Sequence, residues 1–119
     1  MRGDDIAERL LGFGARILRL AGKLPASHAS RHIARQLVRA GTAGGANYEE
    51  ARSAESRADF VHKLGIASKE VREALYWLRL LERAGLAQGA EVGHLVSEAN
   101  ELVAILVVSI KTAKARDSR

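Results

Sequence analysis

Apolar residues recur every three or four positions along four stretches of the chain that are similar in length. Ile6, Leu10, Phe13, Ile17, Leu20 and Leu24 advance by alternating fours and threes, the spacing that lines side chains along one face of an α-helix. The pattern predicts a first helix over about 5–23, opened by Asp5 with Glu8 as a capping pair and closed by Pro25, the chain's single proline. Ile33, Leu37, Ala40, Gly44, Asn47 and Ala51 form the stripe of a second helix over about 28–53, beginning after Ser27 or Ser30, either of which is a good N-cap. Phe60, Leu64, Ala67, Val71, Ala74, Leu78 and Leu81 give a third, over about 57–84, with Ser56 and Asp59 as a capping box. Gly85 followed by Leu86 reads as a Schellman stop. Val92, Leu95, Ala99, Val103, Leu106, Ile110 and Ala113 give a fourth, over about 90–115; its β-branched middle resembles a strand, but the helical period continues on both sides.

Four helices joined by short connections predict an all-α fold, an up-down-up-down antiparallel four-helix bundle. With 119 residues the chain suits one domain over 1–119 with a single core, and its basic end, 111–119, is expected to fray.

Helix 2 carries Gly41, Gly44 and Gly45 inside its helical period, although each glycine costs about 1 kcal/mol relative to alanine there. A second strip, Ala34, Val38, Gly41, Gly45 and Tyr48, runs beside the core stripe, and helix 3 has a similar flank in Ile66, Trp77, Leu80 and Ala84. Apolar arcs this wide exceed one core, and a Trp rimmed by charge suits a protein interface. Close helix packing accounts for the glycines: within the subunit at Gly44 and between subunits at Gly41 and Gly45. Val38, Tyr48, Ile66, Trp77 and Leu80 complete that expected interface. The competing reading gives all three glycines to the intramolecular core or to a kink. Asn47 is expected to be a buried amide with fixed partners.

Net charge is +5, unevenly placed: +5 over residues 1–40, −3 over 41–110 and +3 over 111–119. Arg9, Arg16, Arg19 and Lys23 share an outer face of helix 1, and Arg31, Arg35 and Arg39 an outer face of helix 2. Merged near the helix 1–helix 2 turn, these rows would neutralise phosphates without reading base sequence.

The absence of cysteine removes disulfides and thiolate chemistry. The N-terminus places two acids before a broken apolar pattern, unlike a signal peptide. The longest aliphatic run, 102–110, is about half of what spans a bilayer, so a soluble, cytoplasmic protein is expected. His28 and His32 stand at i, i+4 without a third ligand, and Glu91 with His94 is a single Glu-x-x-His where a di-iron bundle needs two. No serine sits in a nucleophile elbow. The expectation is a non-enzyme without metal or cofactor.

The segments GANYEEA, SRADFVHKL and EALYWLRLL, within residues 45–86, resemble the bacterial four-helix-bundle proteins named for open reading frames in intervening sequences of 23S ribosomal RNA genes. The resemblance implies an up-and-down bundle assembling as a ring-like homopentamer. It also implies kinship with the accessory protein of diversity-generating retroelements, a basic pentamer that binds nucleic acid and its reverse transcriptase. It carries no catalytic residues. The expected function is therefore a homo-oligomer that binds RNA or DNA through repeated Arg/Lys surfaces, with a protein-interaction scaffold as the alternative.

Overall fold

The computed structural model describes residues 2–117. Four α-helices follow in chain order: α1 (Gly3–Gly22), α2 (His28–Arg52), α3 (Arg57–Arg83) and α4 (Ala90–Asp117). Each helix packs on its sequence neighbour, and α1 closes the ring against α4. The result is an elongated four-helix bundle, 52 × 21 × 20 Å.

Local chemistry sets the helix ends. The Ser27 side chain accepts a hydrogen bond from the Ser30 amide at 3.1 Å, which selects Ser27 over Ser30 as the cap of α2. The Ser56 hydroxyl accepts from the Asp59 amide at 3.1 Å and opens α3. Gly85 takes φ +73°, and the Leu86 and Gly85 amides donate to the Leu81 and Glu82 carbonyls, the two bonds of a Schellman stop. The start of α1 departs from expectation. Arg2 occupies the cap position without a side-chain bond, and Asp4 and Asp5 lie in the first turn, where carboxylates act on the helix dipole.

The helical end of the chain also differs from the expected frayed tail, because α4 continues to Asp117. Ala113 is buried and anchors the last turns, while Lys114 and Arg116 lie where cations favour a helix C-terminus. Residues 118 and 119 lie outside the described residues.

The core follows the predicted stripes closely. Phe13, Leu10, Ile17, Leu37, Leu64, Leu78, Leu81, Leu95, Leu106, Val71 and Val92 are its large, fully buried members, joined by Leu102. Leu102 takes the inward place expected of Val103, which is half-buried. The two are adjacent, and a 100° step leaves such neighbours to be separated only by how the helix is rotated in the bundle.

The glycines of α2 are explained inside the subunit. A Cβ on Gly41 would lie 2.8 Å from Ile17 Cγ2, and one on Gly44 would lie 2.7 Å from Val71 Cγ2. A Cβ on Gly45 would meet Leu10 Cβ at 3.5 Å. Gly41 therefore serves the approach of α1 and Gly44 that of α3, whereas a Cβ on Gly45 would make only ordinary van der Waals contact. This corrects the assignment of Gly41 to a contact between subunits. Tyr48, also expected there, is only 5% exposed and belongs to the core. Asn47 is half-buried, and its amide donates to the Ala43 carbonyl at 2.9 Å, a bond within its own helix.

Candidate polyanion and assembly surfaces

The seven basic residues expected to form one surface divide into two groups. Arg9 spans from α1 to α4, its Nε 3.0 Å and its Nη2 2.6 Å from the two oxygens of Glu98, with Glu101 at 3.3 Å. The hydrogen bond that Arg9 donates to Glu98 is the main cause holding the Arg9 pKa above its ordinary value. Arg16 Nε lies 3.7 Å from Glu91 Oε1 on α4. Arg39 joins α2 to α3 through Glu70, at 3.0 Å, and Glu73. These three arginines are engaged by facing carboxylates, so they are corrected from a free phosphate surface to ties between helices. Spacing within one helix does not reveal which acids face it from the next.

Arg19, Lys23, Arg31 and Arg35 remain. All four are exposed, and among the described residues none has an acidic partner within salt-bridge distance. Arg31 donates to the Ala26 carbonyl at 3.0 Å, which fixes it to the α1–α2 connection. The last turns of α1 and the first turns of α2 bring the four together at one end of the bundle. Residues 9–48 contain seven Lys/Arg and no Asp/Glu. The exposed Arg79 and Arg83, in the last turns of α3, share this end. They were missed in the sequence, although their i, i+4 spacing near a helix C-terminus was a visible signal.

The residues expected at the assembly contact are partly covered within the subunit. Val38, Gly45, Ile66, Trp77 and Leu80 are half-buried, and the Trp77 indole already donates to Glu73 Oε2 at 3.0 Å. Its ring meets those of His32 and Tyr76 edge to face, at centroid distances of 6.2 and 5.1 Å. The large apolar side chains most open to solvent are Leu11, Val108, Tyr76 and Leu18, and Tyr76 adjoins Trp77. Leu11 and Leu18 stand seven residues apart beside a groove of about 660 Å³ between α1 and α2, floored by Ala7, Gly14, Ala15, Thr42 and Ala46. This pair was missed because it lies off the core stripe of α1, where an isolated exposed leucine is ordinary.

Helix α4 is long and apolar enough to cross a membrane by length and composition, yet only 22% of its apolar window is buried within the bundle. Its inward side, Val92, Leu95, Ala99, Leu102 and Leu106, is fully buried. Among the described residues, no three His, Asp or Glu side chains converge as a metal site would require. His28 and His32 are both exposed.

The architecture defines a four-helix bundle with a basic end and an uncovered apolar groove. The model of the family described as 23S rRNA-intervening sequence protein matches residues 5–108. The chain belongs to that family, as the three motif segments implied. A solved structure of a protein of unknown function from the S23 ribosomal protein family of Bacteroides thetaiotaomicron is similar at 35% identity and a TM-score of 0.86; the match covers 93% of this chain and 99% of that one. No curated protein matches the chain.

Proposed function

We propose that the protein is a non-catalytic, cytoplasmic homo-oligomer that binds RNA or DNA without strong sequence preference through a basic surface repeated in each subunit. The observation that carries this reading is the cluster of Arg19, Lys23, Arg31 and Arg35 at one end of the bundle, without acidic partners among the described residues. Cations left unpaired at one pole create a potential that attracts phosphates. One such cluster binds weakly, whereas repetition around an assembly multiplies its effect. The groove beside Leu11 and Leu18 is the contact through which a second copy would pack, because its floor of small residues lets a helix approach closely. The pentamer implied by the resemblance is the expected assembly. The ribosomal wording in the names of the family and of the solved relative makes RNA the first polyanion to test.

The experiment is fluorescence anisotropy of labelled RNA and DNA against the purified protein at about 50 and 200 mM salt. A surface contacting about six phosphates loses roughly a thousandfold in affinity between those conditions. Charge reversal at Arg19, Arg31 and Arg35 should abolish binding with the assembly intact. Absence of binding at the lower salt would overturn the reading. The alternative, a protein-interaction scaffold without a nucleic-acid role, draws on the same apolar groove and expects partner capture to survive the charge reversal.

A further inference from the structure

Lys69, Arg72, Tyr76, Arg79 and Arg83 follow one another along α3 in steps of three and four, which returns each to the same side of the helix. All five are exposed, while Ala74, Leu78 and Leu81 on the opposite side are fully buried. From Lys69 to Arg83 this outer face is about 21 Å long. No Asp or Glu lies on it, and among the described residues none of its four cations has an acidic partner within salt-bridge distance. Glu82 stands one 100° step round the helix from Arg83, and Glu70 and Glu73, toward α2, are engaged by Arg39. At its Arg79–Arg83 end the face meets the basic end of the bundle.

Tyr76 sits in the middle of this row. It is 58% exposed, and among the described residues no other Phe, Tyr or Trp is exposed. Its ring is nevertheless held from one side. It meets the Trp77 ring edge to face at 5.1 Å; Trp77 in turn meets His32 of α2 and donates its indole N–H to Glu73. An edge-to-face contact takes up at most one face of a ring, so a face of Tyr76 is left for a planar group, between arginines one turn away on either side.

We propose that a single strand of nucleic acid runs along this face, its phosphates on Lys69, Arg72, Arg79 and Arg83 and one of its bases stacked on Tyr76. The row of cations selects a polyanion, and the oriented ring selects the single strand. Bases within a duplex cover one another's faces, whereas an unpaired strand offers them to aromatic side chains. Stacking is tolerant of sequence, because every base has such a face. At about 3.4 Å per nucleotide, the stacked spacing, the face accommodates about six nucleotides. This surface extends the basic end of the polyanion reading, on which it rests, and makes the single strand its ligand.

The test compares, by fluorescence anisotropy at about 50 mM salt, the full chain's affinity for an RNA strand of about 12 nucleotides without self-complementarity and for the same strand annealed to its complement. Charge alone favours the duplex, which carries twice the phosphates per unit length. Stacking on Tyr76 reverses that order, and the single strand should bind at least about tenfold more tightly. Tyr76→Leu should weaken the single strand by about five- to a hundredfold and leave the duplex unchanged, while Tyr76→Phe, which keeps the ring, should bind as the parent does. Arg72→Gln and Arg79→Gln should each lower the salt slope for the single strand by about 0.7. Duplex binding as tight as or tighter than that of the single strand, undiminished single-strand affinity in Tyr76→Leu with its circular dichroism intact, or unchanged slopes in both arginine variants would each overturn this assignment and leave the polyanion reading standing. The comparison of strands on the parent protein decides without any variant, and absence of binding by either form would overturn both.

Discussion

Gly41 and Gly44 sit in the interior of one helix, where glycine is the costliest residue after proline, and the neighbours explain both. The nearest atoms to an added methyl belong to Ile17 and Val71, β-branched side chains with little rotamer freedom in a helix, so the strain cannot relax by a simple rotation. Gly41→Ala and Gly44→Ala should each destabilise the protein by about 1–3 kcal/mol in urea unfolding, despite the better helix propensity of alanine. Gly12, with nothing within 4 Å of an added Cβ, is the opposite case, and Gly12→Ala should stabilise by up to about 1 kcal/mol. Tyr48 yields a pH prediction. Burial is the main cause raising its pKa above 10.0, so the folded state holds the phenolic proton more tightly than the unfolded state does. That contribution is complete below the unfolded value and is lost as pH rises through the folded one. In a Tyr76→Phe background, ultraviolet tyrosinate absorbance should show Tyr48 ionising above pH 10, together with a fall in stability that Tyr48→Phe removes.

The helix boundaries were legible because caps and stops are local chemistry. Ser56, Gly85 and the proline after α1 act on backbone groups a few residues away, so their meaning survives without any tertiary context. Gly85→Ala should cost about 1 kcal/mol, because φ +73° crowds a Cβ against the backbone; thermal unfolding measures it. Ser56→Ala should cost about the same through loss of the bond to the Asp59 amide. The rotation of a helix about its own axis was less legible. Leu102 and Val103 are both apolar and adjacent, and only contact with α3 and α1 turns Leu102 inward. The end of α4 was legible in part: Ala113 already lay on its apolar stripe, and the structure carries the helix to Asp117, two residues past the expected boundary.

On the scale of the whole molecule, charge and apolar surface are polarised. Cations without acidic partners gather at the end formed by the α1–α2 connection, and the groove flanked by Leu11 and Leu18 lies on the outer face of α1 and α2. If that groove is the assembly contact, Leu11→Asp with Leu18→Asp should dissociate the oligomer without unfolding it, since both side chains are at least half exposed in the subunit. Light scattering with circular dichroism reads both outcomes, and an unchanged mass would place the contact elsewhere. The four helices, their order and most of the core were set by period and local capping, which a linear chain carries in full. The partition of arginines into ties and free cations was decided only by tertiary structure. Arg9 and Glu98 are 89 positions apart, and their meeting depends on the axial register of α1 against α4, which no spacing within either helix encodes. The same holds for the glycines of α2, whose pattern announces a close approach while the neighbouring helices alone say what approaches.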